Sequence, residues 1–293
     1  MDNGLRGRVV GLVAIAVAAA LVWVAFTTFW MWRHQERVVF QPPQLEVQTP
    51  PGARRVEYPS ADGAAVYGYV VAPSRPEPAP RAVVIAFHGN ADLAAWFTSW
   101  ARELADRAGV TVLLPEYRGY GGLRANPTYE TAAADALGAL SYARDSLRPS
   151  HVSLFGHSLG TAIASEVALT MQDGGAPPAA LILQSPFTSA REMAARMLVP
   201  PIPWLWKRIS RVHYETIAAV SRLDCPVWVA HGSRDVVVPV RMGRHVYAAA
   251  KRRGELLIVD GAGHNDVAEV GGDRYWRWLS AAVVSSEPAV SGR

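Results

Sequence analysis

The chain has 293 residues, half of them hydrophobic and 18% charged, and a formal net charge of +4. This composition excludes a disordered chain, and the length suffices for one large domain with a sizeable core. The basic residues are scattered and no nucleic-acid motif occurs, so the charge balance does not predict a nucleic-acid partner.

The N-terminal segment 9–32 carries no charge and lies between Arg8 and Arg33. A helix of this length covers roughly 36 Å, enough to cross the ~30 Å hydrocarbon core of a membrane with some tilt. The sequence therefore predicts a short tail at 1–8 and a single-pass transmembrane anchor at 9–32. A cleaved signal peptide is the alternative, although the apolar run is longer than such a signal needs. Two arginines in the short tail favour a domain outside the cytoplasm.

A proline-bearing linker at 33–51 leads into the predicted domain at 52–285, which a flexible tail follows at 286–293. Val66 to Val71 is predicted as an edge strand. The other predicted strands are nearly continuous apolar runs, at 81–87, 110–114, 151–155, 180–184, 226–230 and 255–259. Helical patterns alternate with them, at 93–107, 128–147, 161–170 and 240–252. This alternation predicts an α/β fold with a mostly parallel, doubly wound sheet covered on both faces.

The five residues 156–160 read Gly-His-Ser-Leu-Gly, between a predicted strand and an alanine-rich helix. Glycines at both ends permit a tight strand-to-helix turn that lifts the Ser158 side chain above the sheet edge. The helix N-terminus directs N–H groups towards this point. The pattern and its setting predict Ser158 as a catalytic nucleophile.

A serine nucleophile needs a general base, and the base needs a carboxylate that orients it. In this setting the expected chain order is serine, acid, histidine. Asp235 and His264 each follow a late strand, at the edge where open α/β sheets bind ligands. The rival acids are worse placed; they are Asp224, Asp260 and Asp266. Structural roles are expected for the other candidate bases, which are His151, His213 and His245.

Stabilising an oxyanion requires two N–H donors. Leu159 follows the nucleophile and is the first predicted donor. The second is predicted in the loop after the strand at 81–87, where Asn90 is preferred and Ala91 is the alternative. His88 is expected to fix that loop by hydrogen bonding. No metal-ligand spacing occurs, no cofactor is predicted, and the single Cys225 is expected to be a buried, inert thiol.

These motifs together resemble one branch of the α/β-hydrolase superfamily. That branch includes the bud-emergence-type membrane-anchored serine hydrolases and the related eukaryotic protein depalmitoylases. The segments that carry the resemblance, in chain order, are 37–42, 88–91, 117–121, 156–160, 185–189, 231–235 and 263–266. The resemblance implies an esterase or thioesterase that uses a Ser–Asp–His triad on acyl chains.

Three features depart from the pattern of that family. Glu116 stands where aspartate is usual, Thr161 stands where a third glycine is common, and the segment 197–214 is rich in proline and tryptophan. A small cap over the sheet is predicted at about 186–213. Aromatic and basic residues within it, such as Trp206 and Lys207, favour contact with a lipid surface as the alternative.

The sequence thus predicts a membrane-anchored serine hydrolase of small acyl esters or acyl thioesters, with membrane lipid contacted through its anchor. A serine peptidase acting on short peptides is one alternative. It would need an acidic pocket for the substrate amino group, and the sequence shows no acidic cluster near the motifs. A non-catalytic, membrane-tethered binding protein is a second alternative, and a perhydrolase a more remote one.

Overall fold

The computed structural model describes residues 3–43, 45–75, 82–197, 208 and 214–284, without the side chains of residues 3–6, 38 and 197. The cap predicted at about 186–213 and the tail predicted at 286–293 fall wholly or partly outside these residues, as does His213. The described strands are β1 (Arg54–Pro59), β2 (Ala65–Val71), β3 (Ala82–Phe87), β4 (Thr111–Pro115), β5 (His151–His157), β6 (Leu181–Gln184), β7 (Val227–Gly232) and β8 (Arg253–Val259).

Helices alternate with most of these strands. They are α1 (Asn3–Arg33), α2 (Gln35–Val39), α3 (Thr98–Ala108), α4 (Tyr129–Tyr142), α5 (Leu159–Asp173), α6 (Ala190–Met197), α7 (Thr216–Val220), α8 (Val240–Ala249) and α9 (Val267–Val284). A 3₁₀ helix (Ala94–Phe97) precedes α3, and a π-helical turn (Ala143–Leu147) extends α4. α9 bends at Gly272, whose backbone leaves the helical region.

One sheet contains all eight described strands, in the order β1-β2-β4-β3-β5-β6-β7-β8. β2 pairs antiparallel with both of its neighbours, β1 and β4. All the pairs that follow in this order, from β4-β3 to β7-β8, are parallel. The mostly parallel sheet predicted from the sequence is therefore confirmed. The prediction of an edge strand at Val66 to Val71 is wrong, because β1 pairs with β2 and takes the edge. β1 escaped prediction because it has only two buried side chains, Val56 and Tyr58, with charged residues before and between them.

Both faces of the sheet carry a hydrophobic core. Along β3, Val83, Ile85 and Phe87 belong to a first core cluster, which also contains side chains of α4 and α5. The alternate residues Val84 and Ala86 belong to a second core cluster with side chains of α3 and α9. This alternation follows from the period of two along a strand. Helices on both faces leave the carboxyl ends of the parallel strands as the place where loops can converge.

Most side chains of α1 are exposed, and only its C-terminal end, at Met31 and Trp32, packs against the first core cluster. Its segment Gly7–Arg33 is long and apolar enough to cross a membrane, and it is the one such helix in the described part of the chain. The region predicted as a linker, 33–51, is not simply a tether, because it contains α2 and the buried Phe40.

Cys225 lies at the start of the β7 region and is 3% exposed. Burial raises the pKa of its thiol to about 11, so the thiol stays protonated near neutral pH. The burial of this thiol expected from the sequence is confirmed.

Candidate active site

Ser158 occupies a sharp turn between β5 and α5. Its backbone has φ 52° and ψ −115°, a conformation that residues with a side chain rarely adopt. The neighbouring glycines make the turn possible: a Cβ on Gly160 would lie 2.1 Å from Phe87 O, and one on Gly156 would lie 2.3 Å from Gly160 O. Thr161, noted as a departure from the family pattern, donates its hydroxyl to Ser158 O at 2.6 Å. The strain at this turn is typical of a functional residue.

Gly160→Ala is expected to lower the free energy of unfolding by about 3 kcal/mol, because the added methyl group overlaps backbone atoms that cannot move independently. Urea unfolding of the detergent-solubilised protein measures this change. Gly11→Ala is the matched control, since no atom outside the neighbouring backbone of its own helix lies within 4 Å of the position its Cβ would take. Equal stability of the two variants would contradict the close packing of the turn.

The structure brings together three residues that are far apart in the sequence. His264 Nε2 lies 2.9 Å from Ser158 Oγ, and His264 Nδ1 lies 2.7 Å from Asp235 Oδ2. The other carboxylate oxygen of Asp235 accepts hydrogen bonds from the N–H groups of Val237 at 2.9 Å and Val238 at 2.8 Å. The carboxylate is therefore held in one orientation, with Oδ2 directed at the imidazole.

Asp235 is held in its charged form. Burial acts to raise the pKa of its carboxyl, but the hydrogen bonds from His231 and His264 outweigh burial and hold this pKa well below its ordinary range. His231 is fully buried, with Nε2 2.8 Å from Val238 O and 3.2 Å from Asp235 Oδ2. Nothing in the sequence around His231 marks it as a second histidine beside Asp235.

The rival acids have other partners. Asp224 pairs with Lys251 at 3.3 Å, and Asp260 accepts a hydrogen bond from Ser233 at 2.9 Å. Asp266 accepts one from the Gly263 N–H at 2.6 Å. Two of the rival histidines are described and lie elsewhere: His151 begins β5 and His245 is exposed on α8.

The loop after β3 lies against the serine turn. A Cβ on Gly89 would lie 3.4 Å from Ser158 Cβ, so residues 88–91 run directly beside the nucleophile candidate. Leu159, the first residue of α5, has a backbone N–H without an acceptor inside the helix. The Ala91 N–H already donates to Asn90 Oδ1 at 3.0 Å.

His88 and Glu116 form a buried pair at the base of this loop. His88 Nε2 lies 2.9 Å from Glu116 Oε1, and Nδ1 lies 2.9 Å from Gly89 O. Burial lowers the pKa of His88, but the adjacent Glu116 carboxylate outweighs burial and raises this pKa above its ordinary value. Glu116 also accepts the Ala94 N–H at 3.1 Å. His88 thus fixes the loop as expected, and Glu116 braces it.

His157, immediately before Ser158, is a second residue that sequence analysis did not single out. Its ring is 5% exposed, packs near Phe97 and His264, and places Nε2 3.3 Å from His264 O. Burial, together with the nearby His264, lowers the pKa of His157 to about 3. The side chain is consequently neutral in the folded protein at physiological pH.

The stability of the fold should therefore depend on the protonation of His157. Below about pH 6.5 the unfolded chain protonates this side chain, whereas the folded protein does so only near pH 3. The unfolded state then binds more protons, so stability is present above pH 6.5 and is lost as the pH falls. Between pH 6 and 4, His157 should account for about 1 kcal/mol of lost stability per pH unit.

His157→Gln should remove this part of the pH dependence, whatever its effect at neutral pH. Urea unfolding at several pH values measures the slope for the wild type and the variant. His245→Gln, the same change at an exposed position on α8, should keep the slope of the wild type. An unchanged slope in His157→Gln would refute a buried, neutral His157.

Ser158 and His264 open into a cavity of about 1090 Å³, at the upper end of the range for ligand pockets. Much of its lining is apolar and comes from both core clusters. Lining residues on the side of the first cluster include Met31, Val39, Leu159, Phe187, Met193 and Ala194, and those on the side of the second are Phe97, Trp100, Ala268 and Trp276.

Three carboxylates also line this cavity: Asp92, Glu103 and Glu269. The sequence shows no acidic cluster near the motifs, because these three carboxylates are separated along the chain. The fold brings them to the lining of one cavity. Glu103 is already bound by Arg107 Nε at 2.5 Å. Among the described residues, no group of His, Cys, Asp or Glu is arranged to hold a metal ion.

Comparisons with known proteins identify several relatives. Residues 78–218 match the model of the Hydrolase_4 family, described as serine aminopeptidase, S33. The uncharacterized protein MT2364 of Mycobacterium tuberculosis is 34% identical over 271 residues, which cover 89% of this chain and 90% of the relative. The lysophosphatidylserine lipase ABHD12 of Danio rerio is 29% identical over 185 residues, which cover 59% of this chain and 48% of the relative.

Solved structures resemble the whole domain. The esterase Pf2001 of Pyrococcus furiosus has a TM-score of 0.63 and 18% sequence identity, and the likeness covers 84% of this chain and 98% of the esterase. At this level of identity, the likeness concerns the fold alone.

Proposed function

The chain belongs to the α/β-hydrolase family, and on that premise we propose that it is a membrane-anchored serine hydrolase that cleaves carboxylic esters or acyl thioesters. The family and the fold expected from the motifs are both confirmed. One observation carries the proposal: Ser158, His264 and Asp235 form a continuous hydrogen-bonded chain beside a largely apolar cavity.

In the proposed reaction, His264 Nδ1 carries a proton because it faces the Asp235 carboxylate, and this leaves Nε2 as the acceptor. Nε2 takes the hydroxyl proton of Ser158 as Oγ attacks the carbonyl carbon of the substrate. The protonated imidazole then donates this proton to the departing alcohol or thiol, and an acyl-enzyme remains on Ser158. Water attacks the acyl-enzyme with His264 again as base, which releases the acid and restores the serine.

The negative charge of each tetrahedral intermediate needs donors that are already in place. We assign them to the backbone N–H groups of Leu159 and Asn90. Leu159 begins α5, so the positive end of the helix dipole adds to its donor. Asn90 is favoured over Ala91 because the Ala91 N–H is already hydrogen-bonded to the Asn90 side chain.

Membrane anchoring is part of the same proposal. The apolar Gly7–Arg33 helix is long enough to span a bilayer, and its side chains have few contacts with the domain. Arg6 and Arg8, at the N-terminal end of this helix, favour a domain outside the cytoplasm. One relative is named a lipase of lysophosphatidylserine, which supports ester substrates that carry an acyl chain.

A peptidase remains the main competing enzyme, since the matched family model is described as serine aminopeptidase and three carboxylates line the cavity. Against it, Arg107 already binds Glu103. The two are separated by kcat/KM for aryl esters and acyl thioesters of increasing chain length, measured beside aminoacyl amides. We expect the esters and thioesters to be preferred. A preference for the amides would favour the peptidase, and no turnover of either class would favour a binding protein.

A further inference from the structure

The end of the membrane helix contributes to the cavity that holds Ser158. Met31, in the last turn of α1, lines this cavity, and so do Gln35, Val39 and Gln41 just after it. Met31 and Val39 pack against the first core cluster, to which Leu159 belongs, and Gln35 is 3% exposed. We call residues 31–41 the anchor-side wall.

The Asn90 side chain holds this wall to the loop beside the nucleophile. Asn90 Nδ2 donates to Val39 O at 2.5 Å, while Asn90 Oδ1 accepts the Gln41 N–H at 2.8 Å. The amide thereby bonds the backbone on both sides of Phe40, much as a neighbouring strand would. Tyr120 donates its hydroxyl to the same Oδ1 at 2.8 Å. Asn90 therefore fixes the wall relative to the oxyanion donor proposed on its own backbone.

We call the hydrogen bonds from the Asn90 side chain to Val39 and Gln41 the Asn90 clamp. Phe40 lies between these two residues and adds a hydrophobic contact. It is 2% exposed and packs edge-on against Tyr129 at 5.5 Å and Tyr214 at 6.5 Å between ring centroids. Tyr214 O accepts the N–H of Ala190, where α6 begins. The anchor-side wall and α6, which supplies Met193 to the cavity, are thus joined through one packed aromatic cluster.

Charge is distributed unevenly around the cavity. The anchor-side wall contributes Met31, Gln35, Val39 and Gln41 to the lining, and none of these side chains is charged. Two of the lining carboxylates, Glu103 and Glu269, belong instead to α3 and α9, the helices of the second core cluster. An apolar chain bound on the anchor side therefore displaces water from uncharged side chains. On the opposite side it would displace water from carboxylates, which costs more free energy.

We propose that the anchor-side wall binds the acyl chain of a membrane-resident ester or thioester and sets the chain-length preference of the enzyme. The proposal rests on the proposed function. Above Met31, Phe26 and Phe29 of α1 are 64% and 61% exposed, which suits contact with lipid. With α1 in a bilayer, Met31 adjoins both the lipid and the cavity, so an acyl chain can pass between them along apolar surface.

The test uses the full chain in detergent micelles, where delivery from a bilayer plays no part. Aryl acetate, octanoate and hexadecanoate esters are the probes. Met31→Trp fills the wall and should lower kcat/KM for the hexadecanoate, relative to the acetate, by about tenfold. Met31→Ala, a milder second variant, should lower the same ratio by a smaller factor. Phe26→Trp, the control on the exposed face of the same helix, should keep the ratio of the wild type.

Asn90→Ala keeps the backbone N–H of this residue but removes the clamp. It should lower the same ratio by about tenfold, and the double variant Asn90→Ala/Met31→Trp should show little further loss because both changes disable one wall. A purely structural role for Asn90 would lower the melting temperature without changing the ratio.

An active enzyme whose chain-length ratio is unchanged in Met31→Trp and in Asn90→Ala would overturn the inference alone. If the losses of the two single variants multiply in the double variant, Asn90 and Met31 do not act through one wall, and the role given to the Asn90 clamp would be overturned. A folded wild type that hydrolyses none of the esters and does not react with a fluorophosphonate at Ser158 would overturn the proposed function and, with it, the anchor-side wall.

Discussion

Replacing Ser158 with alanine is expected to lower kcat for ester hydrolysis by about 10⁶-fold, because no acyl-enzyme can form and His264 loses the group it activates. The residual rate above that of water would come from the oxyanion donors and substrate binding. Burst-phase and steady-state kinetics with an aryl ester measure the loss. The variant should remain folded, since the hydroxyl group that is removed lies at the cavity.

Ser165→Ala is the matched control for this change. Ser165 lies on the same helix, α5, and its buried hydroxyl donates to Thr161 O at 2.7 Å, away from His264. We expect its kcat to stay near that of the wild type. Turnover by Ser158→Ala within tenfold of the Ser165→Ala rate would show that another residue is the nucleophile.

The second large effect is expected for Asp235→Asn, which should lower kcat by about 10⁴-fold. The N–H groups of Val237 and Val238 both donate to one oxygen of Asp235. In the asparagine variant this position must be taken by the amide oxygen, which turns the NH₂ group towards His264 Nδ1. The imidazole would then accept at Nδ1 and carry its proton on Nε2, where it faces Ser158 and cannot act as the base.

The rival carboxylates supply the controls for Asp235→Asn. Asp266→Asn tests the acid nearest to His264 in sequence, which accepts the Gly263 N–H, and Asp224→Asn tests an exposed ion pair. Both should keep kcat within a few-fold of the wild type. A loss in Asp266→Asn equal to that in Asp235→Asn, with both variants folded, would reject Asp235 as the sole orienting carboxylate.

Much of the sheet could be predicted because a buried parallel strand reads as a continuous apolar run. β3 to β7 were found in this way, and the serine turn was found because glycines flank Ser158 between a strand and a helix. Asp235 and His264 were found because a parallel sheet brings the ends of its strands to one edge. These signals are local or topological, so they can be read from one sequence.

Features that depend on strand order and tertiary contacts could not be predicted. β1 has only two buried side chains, and nothing in its composition shows that it covers the edge of β2. The Asn90 clamp joins Asn90 to Gln41 and Val39, which precede it by 49 and 51 positions in the chain. His231, the second histidine beside Asp235, is an ordinary strand residue in sequence. Polar side chains with distant partners leave no periodic signal, which is why the region 33–51 was interpreted as a linker.

The central claim, that Ser158 is the nucleophile of a serine hydrolase, is tested most directly by covalent labelling with a fluorophosphonate followed by peptide mass spectrometry. The account predicts one adduct on the peptide that contains Ser158, formed in the wild type and absent from both Ser158→Ala and heat-denatured protein. A folded wild type that takes up no label, or an adduct located on a different residue, would contradict it.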